Sequence, residues 1–376
     1  MSKIWYAPNK FDAYGDEEIK AVVDCLKNGW LAPGPCAEAF EKKVSEYFGK
    51  KYGVMVNSGS SANLLALCVC NIGPGDEVIT AALTFATTVA PIIQRGATPV
   101  FIDSELDTFC PSVDSVLSVV SNKTKAVMLA NLAGGKPDWE KLRKILRKDI
   151  ILIEDSCDTM THTIWSDIST TSFYASHIIT AGGSGGMVMF NDKKFVSKAL
   201  MFRDWGRIGN NTEDMTERFA YNVDGIPYDF KFLYSTIGYN LKSSEMNAAF
   251  GLVQMNKLPE FIAKRKANIK RYTERLIHSS FKMSPLLQNF DWIAMPLMHP
   301  KRKEILVHLE NNNVQTRVFF AGNITRHPAY RNYLQSFTNA DTVMAEGFLI
   351  GSHHGMDIKD VDRVCDLLLE WEKLSA

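Results

Sequence analysis

The sequence predicts an α/β fold: a large, mostly parallel sheet with helices on both faces, followed by a small C-terminal α+β domain. Two observations carry this prediction. From Tyr52 onward, short runs rich in β-forming residues alternate with helical runs, which is typical of repeated strand–helix–strand units. After about Asn256 this alternation stops, and longer helices are mixed with a few strand-like runs.

The elements of the first part follow from local runs of sequence. Strand candidates are short and rich in apolar residues, and helix candidates lie between them. The strands are predicted at residues 52–56, 77–80, 98–102, 126–130 and 150–155, and the helices at residues 61–71, 87–95, 112–120 and 138–146. Residues 171–192, "TSFYASHIITAGGSGGMVMFND", predict a short apolar strand, a glycine-rich turn and a second strand.

The C-terminal part begins with an amphipathic helix that is rich in Lys and Arg. This helix is predicted at residues 259–278, with strands at residues 291–298 and 314–320 and further helices at residues 302–312 and 361–374. The boundary between the domains is expected inside or just before the long helix. We therefore divide the chain into a large domain, residues 1–256, and a small domain, residues 257–376.

Composition argues against several classes of protein. The 376 residues carry 42 basic and 42 acidic side chains, so no nucleic-acid-binding surface is indicated. No run approaches the roughly 18 apolar residues of a membrane span, and the N-terminus lacks the apolar region of a signal peptide. Seven scattered cysteines are typical of reduced thiols, so a cytoplasmic protein is expected.

A serine-rich turn at residues 56–67, "VNSGSSANLLAL", follows a predicted strand and opens a predicted helix. Small residues there let backbone N–H groups approach an anion, and the positive end of the helix dipole favours negative charge. Ser58, Ser60 and Ser61 would add hydroxyl donors. The turn is therefore a candidate phosphate cradle, with an ordinary helix cap as the alternative.

Two acidic residues, Glu154 and Asp155, end the predicted strand at residues 150–155. Ligands of open α/β sheets bind beyond the carboxyl ends of the strands. A buried carboxylate there needs a partner, which could be a helix terminus, a basic side chain, a metal ion or a protonated ring nitrogen. The eight histidines show no spacing typical of zinc ligands, so no metal is expected. His177 alone, beside apolar residues, would be typical of a core or turn position.

Taken together, these motifs resemble the DegT/DnrJ/EryC1/StrS family of sugar aminotransferases and dehydratases, which use pyridoxal phosphate (PLP). The resemblance covers nearly the whole chain and includes "IEDSCD", "SFYASHIITAGGSGGMV", "RDWGR" and "GYNLKSSEMNAAFGLVQMNKL". It implies the type I fold of PLP-dependent transferases, which is the aspartate aminotransferase-like fold. It also implies a homodimer with active sites at its interface.

The resemblance also assigns cofactor-binding residues by motif. Asp155 should pair with the pyridine nitrogen, which lets the ring act as an electron sink. Phe85 should stack on the ring, and Asp158 occupies the position that approaches the ring hydroxyl, where the family often has Gln. The cofactor phosphate should be held by Ser60, Ser61 and Ser172 and by Asn240 from the neighbouring subunit.

His177 is the main departure from the family, because most members have a lysine there that forms a Schiff base with the cofactor. Histidine cannot form that bond, but it can act as a general base and acid near neutral pH. The nucleotide-sugar 3-dehydratases that make 3,6-dideoxysugars have the same replacement, and "SFYASHIIT" resembles their motif. The resemblance therefore implies C3 dehydration of a nucleotide-linked 4-keto-6-deoxyhexose, as in lipopolysaccharide O-antigen biosynthesis.

In that reaction, pyridoxamine phosphate (PMP) is held non-covalently, and His177 removes the proton that leads to loss of the C3 hydroxyl. One group of relatives also uses a [2Fe–2S] cluster, but residues 203–221 contain no cysteine where those relatives have most of their ligands. No iron–sulfur cluster is therefore expected. The other group regenerates PMP from L-glutamate, which is the expected amino donor. Because "GNITRHPAY" resembles the cluster-containing relatives, the sugar and its nucleotide stay open.

Residues 316–330 and 340–356 supply candidates for binding the nucleotide sugar. Arg317 and Arg326 would suit its diphosphate, because a guanidinium can bind two oxygens at once. Surface salt bridges are the alternative for both. The resemblance places His327 and His354 where they would contact the sugar.

Three other interpretations are compatible with the sequence. The first is an aminotransferase of the same fold with unusual proton transfer, and the second is a non-catalytic relative that binds cofactor or sugar. The second rests on "AGGSGG" at residues 181–186, where the family usually has an acidic residue. The third is an engineered replacement of lysine by histidine. Loss of oxygen from the sugar would indicate the dehydratase, whereas a gain of nitrogen would indicate the aminotransferase.

Overall fold

A seven-stranded sheet forms the centre of the computed structural model, which describes residues 2–8, 12–209 and 214–375. The strands are β1 (Tyr52–Val56), β2 (Glu77–Ala81), β3 (Thr98–Ile102), β4 (Thr124–Ala130), β5 (Ile151–Asp155), β6 (Ile168–Ser172) and β7 (Gly186–Phe190). Their order across the sheet is β1-β7-β6-β5-β4-β2-β3. β7 pairs antiparallel with both of its neighbours, and the remaining pairs are parallel. The predicted α/β class with a mostly parallel sheet is confirmed.

Helices cover both faces of this sheet. The helices in this part of the chain are α1 (Asp16–Lys27), α2 (Pro35–Tyr47), α3 (Gly59–Val69), α4 (Ala86–Gln94), α5 (Val113–Leu117), α6 (Trp139–Ile145), α7 (Lys193–Arg203) and the short α8 (Met215–Arg218), none of whose residues is buried. On β4, Ala126 and Met128 pack in the core that contains α3, while Val127 and Leu129 pack in the core that contains α6. Successive residues of a strand point to opposite faces, so burial on both faces explains the continuous apolar run at this strand.

The C-terminal part contains four helices and a three-stranded antiparallel sheet. The helices are α9 (Glu245–Leu276), α10 (Arg302–Asn311), α11 (Thr338–Glu346) and α12 (Ile358–Ser375). The sheet has β12 (Gly347–Ile350) between β10 (Met295–Met298) and β11 (Thr316–Val318). A hairpin of β8 (Tyr221–Val223) and β9 (Ile226–Tyr228) precedes this part. Within the described residues, every helix is too short or too polar to cross a membrane.

The long helix α9 begins at Glu245, well before the predicted start at residue 259. Ser244 caps it, because the Ser244 hydroxyl accepts a hydrogen bond from the N–H of Asn247 at 3.3 Å. Pro259 lies inside the helix, where proline removes one intrahelical hydrogen bond. Packing of α9 against α1, α2 and α12 stabilises the helix despite this loss.

Other differences concern short elements. The predicted helix at residues 112–120 is reduced to the five residues of α5, and the strand before the glycine-rich turn is the polar run of β6. β12, the central strand of the small sheet, was not predicted. The division after residue 256 falls inside the continuous helix α9 and stays a prediction.

Candidate active site

Asp155 lies buried at the carboxyl end of β5. Its Oδ2 accepts hydrogen bonds from Asn63 Nδ2 and Thr88 Oγ1, both at 2.8 Å, and its Oδ1 accepts one from the N–H of Cys157 at 3.2 Å. Asn63 belongs to α3 and Thr88 to α4, so two helices hold the carboxylate in place. A carboxylate has about four acceptor positions, and Asp155 therefore keeps capacity for one more donor.

The first turn of α3 packs closely against the end of β6. A β-carbon at Gly59 would lie 2.7 Å from the Cβ of Ser172, so only glycine fits at this position. Ser58 caps the helix by accepting a hydrogen bond from the N–H of Ser61 at 3.1 Å. Ser60 is exposed, and Ser61 is half-buried. The structure thus brings the predicted phosphate-binding serines of α3 beside Ser172, and the same turn is also an ordinary capped helix start.

Phe85 and Asn240 are both exposed. Phe85 precedes α4 with 51% of its side chain exposed, and its ring meets Phe320 edge to face at 6.3 Å. An exposed aromatic ring beyond the end of β2 is suited to stacking on a flat ligand. Asn240 precedes Leu241, whose carbonyl accepts a hydrogen bond from the N–H of Asn57 at 2.9 Å. Asn240 therefore lies near the start of α3 in its own chain, and its action across a dimer stays a prediction.

His177 and Asp158 face each other in the loops that follow β6 and β5. Nδ1 of His177 lies 4.0 Å from Oδ1 of Asp158, and the side chains are 18% and 12% exposed. Oδ2 of Asp158 accepts a hydrogen bond from the N–H of Ala133 at 2.9 Å. Nδ1 of His177 is buried and has no hydrogen-bond partner among the described residues. No hydrogen bond from a described residue therefore competes for this nitrogen when it takes up a proton.

Burial changes the charge of both groups. Burial raises the pKa of Asp158 to about 7. The hydrogen bond from the N–H of Ala133 lowers this pKa, and the negative charge of Asp155 raises it further. Burial also lowers the pKa of His177 to about 4, with a further contribution from the guanidinium of Arg265. At neutral pH His177 is therefore an uncharged imidazole that can accept a proton.

Tyr6 is a site residue that sequence reasoning missed. Its N–H donates to Oε1 of Gln315 at 3.1 Å, and the guanidinium of Arg317 lies 5.3 Å from the centre of its ring. Burial, and next the charge of Asp158, raises the pKa of the Tyr6 hydroxyl. Tyr6, Asp158 and Arg317 are therefore neighbours. No motif marked Tyr6, because it is far from the other two in the sequence.

The remaining predicted substrate residues have partners within the protein. Arg326 forms a two-point ion pair with Asp341, with Nη2 2.6 Å from Oδ2. Nε2 of His327 lies 2.7 Å from a backbone carbonyl oxygen. His354 is buried and stacks on Phe261 at 3.7 Å between ring centres. Arg326 thus forms a salt bridge, which was the alternative to diphosphate binding. Contact of Arg326, His327 and His354 with substrate stays a prediction.

The residues at this edge of the sheet fit a pyridoxal-type cofactor. Asp155 can accept a hydrogen bond from a protonated ring nitrogen, the start of α3 offers N–H and hydroxyl groups to a phosphate, and Phe85 offers an exposed ring. The unpartnered nitrogen of His177 supplies a proton acceptor. In the described part of the chain, no group of three or more His, Cys, Asp or Glu side chains is arranged to hold a metal ion.

Comparison with known proteins gives relatives over almost the full length. "Lipopolysaccharide biosynthesis protein RfbH" of Salmonella typhimurium is 34% identical over 93% of this chain and 88% of its own. "dTDP-4-dehydro-2,6-dideoxy-D-glucose 3-dehydratase" of Saccharopolyspora spinosa is 32% identical over 96% of this chain and 85% of its own.

A solved structure has the same fold. GDP-4-keto-6-deoxymannose-3-dehydratase with a trapped PLP-glutamate geminal diamine superposes with a TM-score of 0.85 at 25% identity, and the match covers 96% of this chain and 99% of that one. The aspartate aminotransferase-like fold expected from the resemblance is thereby confirmed. The model of the DegT/DnrJ/EryC1/StrS aminotransferase family matches residues 12–369, and this chain is a member of that family.

Proposed function

We propose that this protein is a PMP-dependent dehydratase that removes the C3 hydroxyl of a nucleotide-linked 4-keto-6-deoxyhexose, in the biosynthesis of a 3,6-dideoxysugar. One observation carries the proposal. A largely buried, uncharged imidazole, with Nδ1 unpartnered among the described residues, stands at position 177, where the family resemblance leads us to expect a Schiff-base lysine. Relatives named as nucleotide-sugar 3-dehydratases support this choice.

The residues that would hold the cofactor lie around the carboxyl ends of β2, β5 and β6. Asp155 would accept the ring N–H, Phe85 would stack on the ring, and Asp158 would approach the ring hydroxyl. The phosphate would contact Ser60, Ser61, Ser172 and, from a second subunit, Asn240. When bound, the cofactor supplies an amine that condenses with a ketone and a ring that accepts an electron pair.

His177 would move the proton that controls the reaction. Its Nδ1 has no competing hydrogen bond among the described residues, and burial keeps the imidazole uncharged before it accepts a proton. The carboxyl group of Asp158, 4.0 Å away, can stabilise the imidazolium that forms. The same imidazolium can then donate its proton to the departing C3 hydroxyl. A histidine at this position thus favours elimination, because it carries protons without forming a bond to the cofactor.

The substrate would enter between the large sheet and the small one. Arg317 on β11 is exposed, and it lies over Tyr6 rather than in a two-point ion pair such as that of Arg326. A guanidinium in this position suits one or both phosphates of the nucleotide diphosphate. We expect Arg317→Ala to raise the KM for the sugar with a smaller effect on kcat.

We also propose a homodimer and L-glutamate as amino donor. Several large apolar side chains near Asn240 are exposed, among them Ile237 at 93%, Tyr234 and Phe232. Exposed apolar groups this close together are typical of a surface covered by another chain, and a second copy would bring Asn240 to the neighbouring site. The glutamate proposal rests on the related dehydratase structure that holds PLP and glutamate.

Mass spectrometry of turnover mixtures would test the proposed reaction. The mixtures contain the protein, PLP, L-glutamate and a panel of GDP-, CDP- and dTDP-4-keto-6-deoxyhexoses. A product that lacks one oxygen, with ammonia released and activity lost in His177→Asn, is the expected result.

Two other outcomes would contradict the proposal. A product that carries a new amine would identify an aminotransferase, in keeping with the description of the family. Absence of any product, together with PLP binding and no spectral change on addition of glutamate and sugar, would favour a non-catalytic protein.

A further inference from the structure

A small cavity of about 50 Å³ lies next to the candidate active site. Ile178, which follows His177 in the chain, lines it together with Met160, Phe290 and Trp292. Most of the lining is apolar, and the polar residues that line the cavity are Arg265, Lys266, Gln288 and Asp291. The cavity therefore combines mostly apolar walls with the buried cation of Arg265 and the ion pair of Lys266 and Asp291.

Arg265 is not satisfied by the protein. It is only 4% exposed, and its Nη1 donates to the carbonyl oxygen of Ile293 at 2.8 Å. Its Nε and Nη2 are buried and have no hydrogen-bond partner among the described residues. Burying a cation with unused donors is costly unless an anion accepts from them.

The neighbouring groups do not neutralise Arg265. Asp291, the acidic residue that lines the cavity, is paired with Lys266 at 3.0 Å. His353 and His354 are uncharged, because burial and then Arg265 lower the pKa of each to about 3. The pKa of the Tyr6 hydroxyl is raised by burial, so Tyr6 is uncharged as well. The groups around Arg265 therefore leave its positive charge without a counter-charge.

We propose that Arg265 binds a small monovalent anion, of the size of chloride, in this cavity. The cavity exceeds the roughly 10–15 Å³ that one water needs, but it is far too small for a nucleotide sugar. Two guanidinium N–H groups directed at one anion would satisfy the donors that the protein leaves unused. No residue assigned to the cofactor takes part, so the anion site is separate from the cofactor site.

A consequence for His177 rests on the proposed function. The charge of Arg265 disfavours the imidazolium, and a bound anion would reduce that effect. The anion would therefore make His177 a stronger base without touching substrate. Binding itself does not depend on this consequence and can be measured in the absence of turnover.

Bromide is the probe, because it replaces chloride and scatters anomalously. We expect crystals soaked in sodium bromide to show one anomalous peak within hydrogen-bond distance of Nε and Nη2 of Arg265. In solution, millimolar bromide or chloride should raise the Tm by about 2 °C or more relative to gluconate at equal ionic strength. Arg265→Gln should abolish this rise. Arg271→Gln is the matched control, because it removes a positive charge from the same helix, where Arg271 pairs with Asp362. This variant should retain the halide-dependent rise in Tm.

Three results would overturn the proposal. One is the absence of a peak at Arg265, with water in the cavity. A peak without any halide-specific rise in Tm of the wild-type protein would indicate an adventitious ion only, and this test does not require the variant to fold. Displacement of bromide by L-glutamate, with density for its carboxylate on Arg265, would assign the site to the amino donor instead of a free ion. None of these results depends on whether the protein is a dehydratase.

Discussion

Asp155 and Asp158 are three residues apart, yet the structure surrounds them in opposite ways. Asp155 accepts three hydrogen bonds, from Asn63, Thr88 and the backbone of Cys157. Asp158 accepts one and faces His177 across 4.0 Å. The first is a carboxylate that the protein already stabilises, and the second is a carboxyl group whose pKa is raised by burial to about 7.

This difference suits the two carboxyl groups, at the end of β5 and in the loop after it, to different tasks. A carboxylate held by several donors has a fixed orientation and can accept a hydrogen bond from a protonated ring. A poorly satisfied carboxyl group beside an unpartnered imidazole can respond to the gain or loss of a proton. We therefore expect substitution of Asp155 to have different consequences from substitution of Asp158 or His177.

The largest effect is expected for His177→Asn. Turnover should fall by about 10²–10⁴-fold, because asparagine cannot take up a proton. Cofactor binding should survive, since Asp155 and the serines are unchanged, and a PLP titration followed by absorbance would show this. His278→Asn, on an exposed residue after α9, is the matched control. Retention of more than a tenth of the activity by His177→Asn would contradict the role of this residue.

Asp155→Asn and Asp158→Asn compare the two carboxyl groups directly. Asp155→Asn should destabilise the fold by about 1–3 kcal/mol, because an amide has one oxygen and its NH2 group would face either the donors of Asn63 and Thr88 or the N–H of Cys157. Asp158→Asn should cost less than about 1 kcal/mol, because its Oδ1 can still accept from Ala133 and no buried charge remains. Urea unfolding of both variants without cofactor, with equal m-values, measures the difference. The comparison fails if Asp158→Asn is the more destabilising change.

The pH dependence of stability should separate Asp158 from His177. The pKa of Asp158 rises from 3.8 to about 7 on folding, so its contribution to stability is full below pH 3.8 and is lost as the pH rises to 7. The pKa of His177 falls from 6.5 to about 4, so its contribution is full above pH 6.5 and is lost as the pH falls to 4. Between pH 4 and 6.5 the two contributions oppose each other.

Substitution of one group should therefore leave the pH dependence of stability that the other group contributes. Relative to the wild type, Asp158→Asn should gain stability as the pH rises from 4 to 6.5, by up to about 1.4 kcal/mol per pH unit. His177→Asn should lose stability over the same range by a similar amount. Unfolding free energies measured at four or five pH values would test the signs. Equal slopes in all three proteins would show that neither group is shifted.

The smallest effect is expected at the ion pair of Arg326 and Asp341. Both groups are satisfied, as Asp155 is, but they are partly exposed to water. A double-mutant cycle with Arg326→Ala and Asp341→Ala should give a coupling energy of about 0.2–1 kcal/mol. The coupling should weaken at 1 M salt, because ions screen exposed charges. A larger coupling energy that does not change with salt would show that this ion pair is shielded from solvent, as Asp155 is.

Local sequence patterns predicted much of the large sheet. The runs at residues 52–56 and 98–102 are strands with the predicted bounds, because a short apolar run between turn residues has few other stable conformations. The start of α9 was misplaced because its cap at Ser244 precedes a run of mixed character and the helix continues through Pro259. β12 was missed because its four residues become a strand only by pairing with β10 and β11 on either side.

The site was predictable to a similar extent. Asp155 ends a predicted strand and the serines of α3 follow one, whereas His177 stands out only through the family resemblance. Tyr6 and Arg265 could not be found in this way. Each lies far along the chain from Asp158 and His177, and neither belongs to a motif.

The amino-acid sequence alone specifies which chemical groups the protein can use: an imidazole at position 177, a carboxylate at the end of β5, and small residues at the start of α3. Tertiary structure alone decided the state of those groups. Hydrogen-bond partners from α3 and α4 hold Asp155, whereas burial and the charge of Arg265 set the protonation of His177. The reason is physical, because a pKa depends on solvent and charge within a few ångströms, and residues distant in sequence supply both.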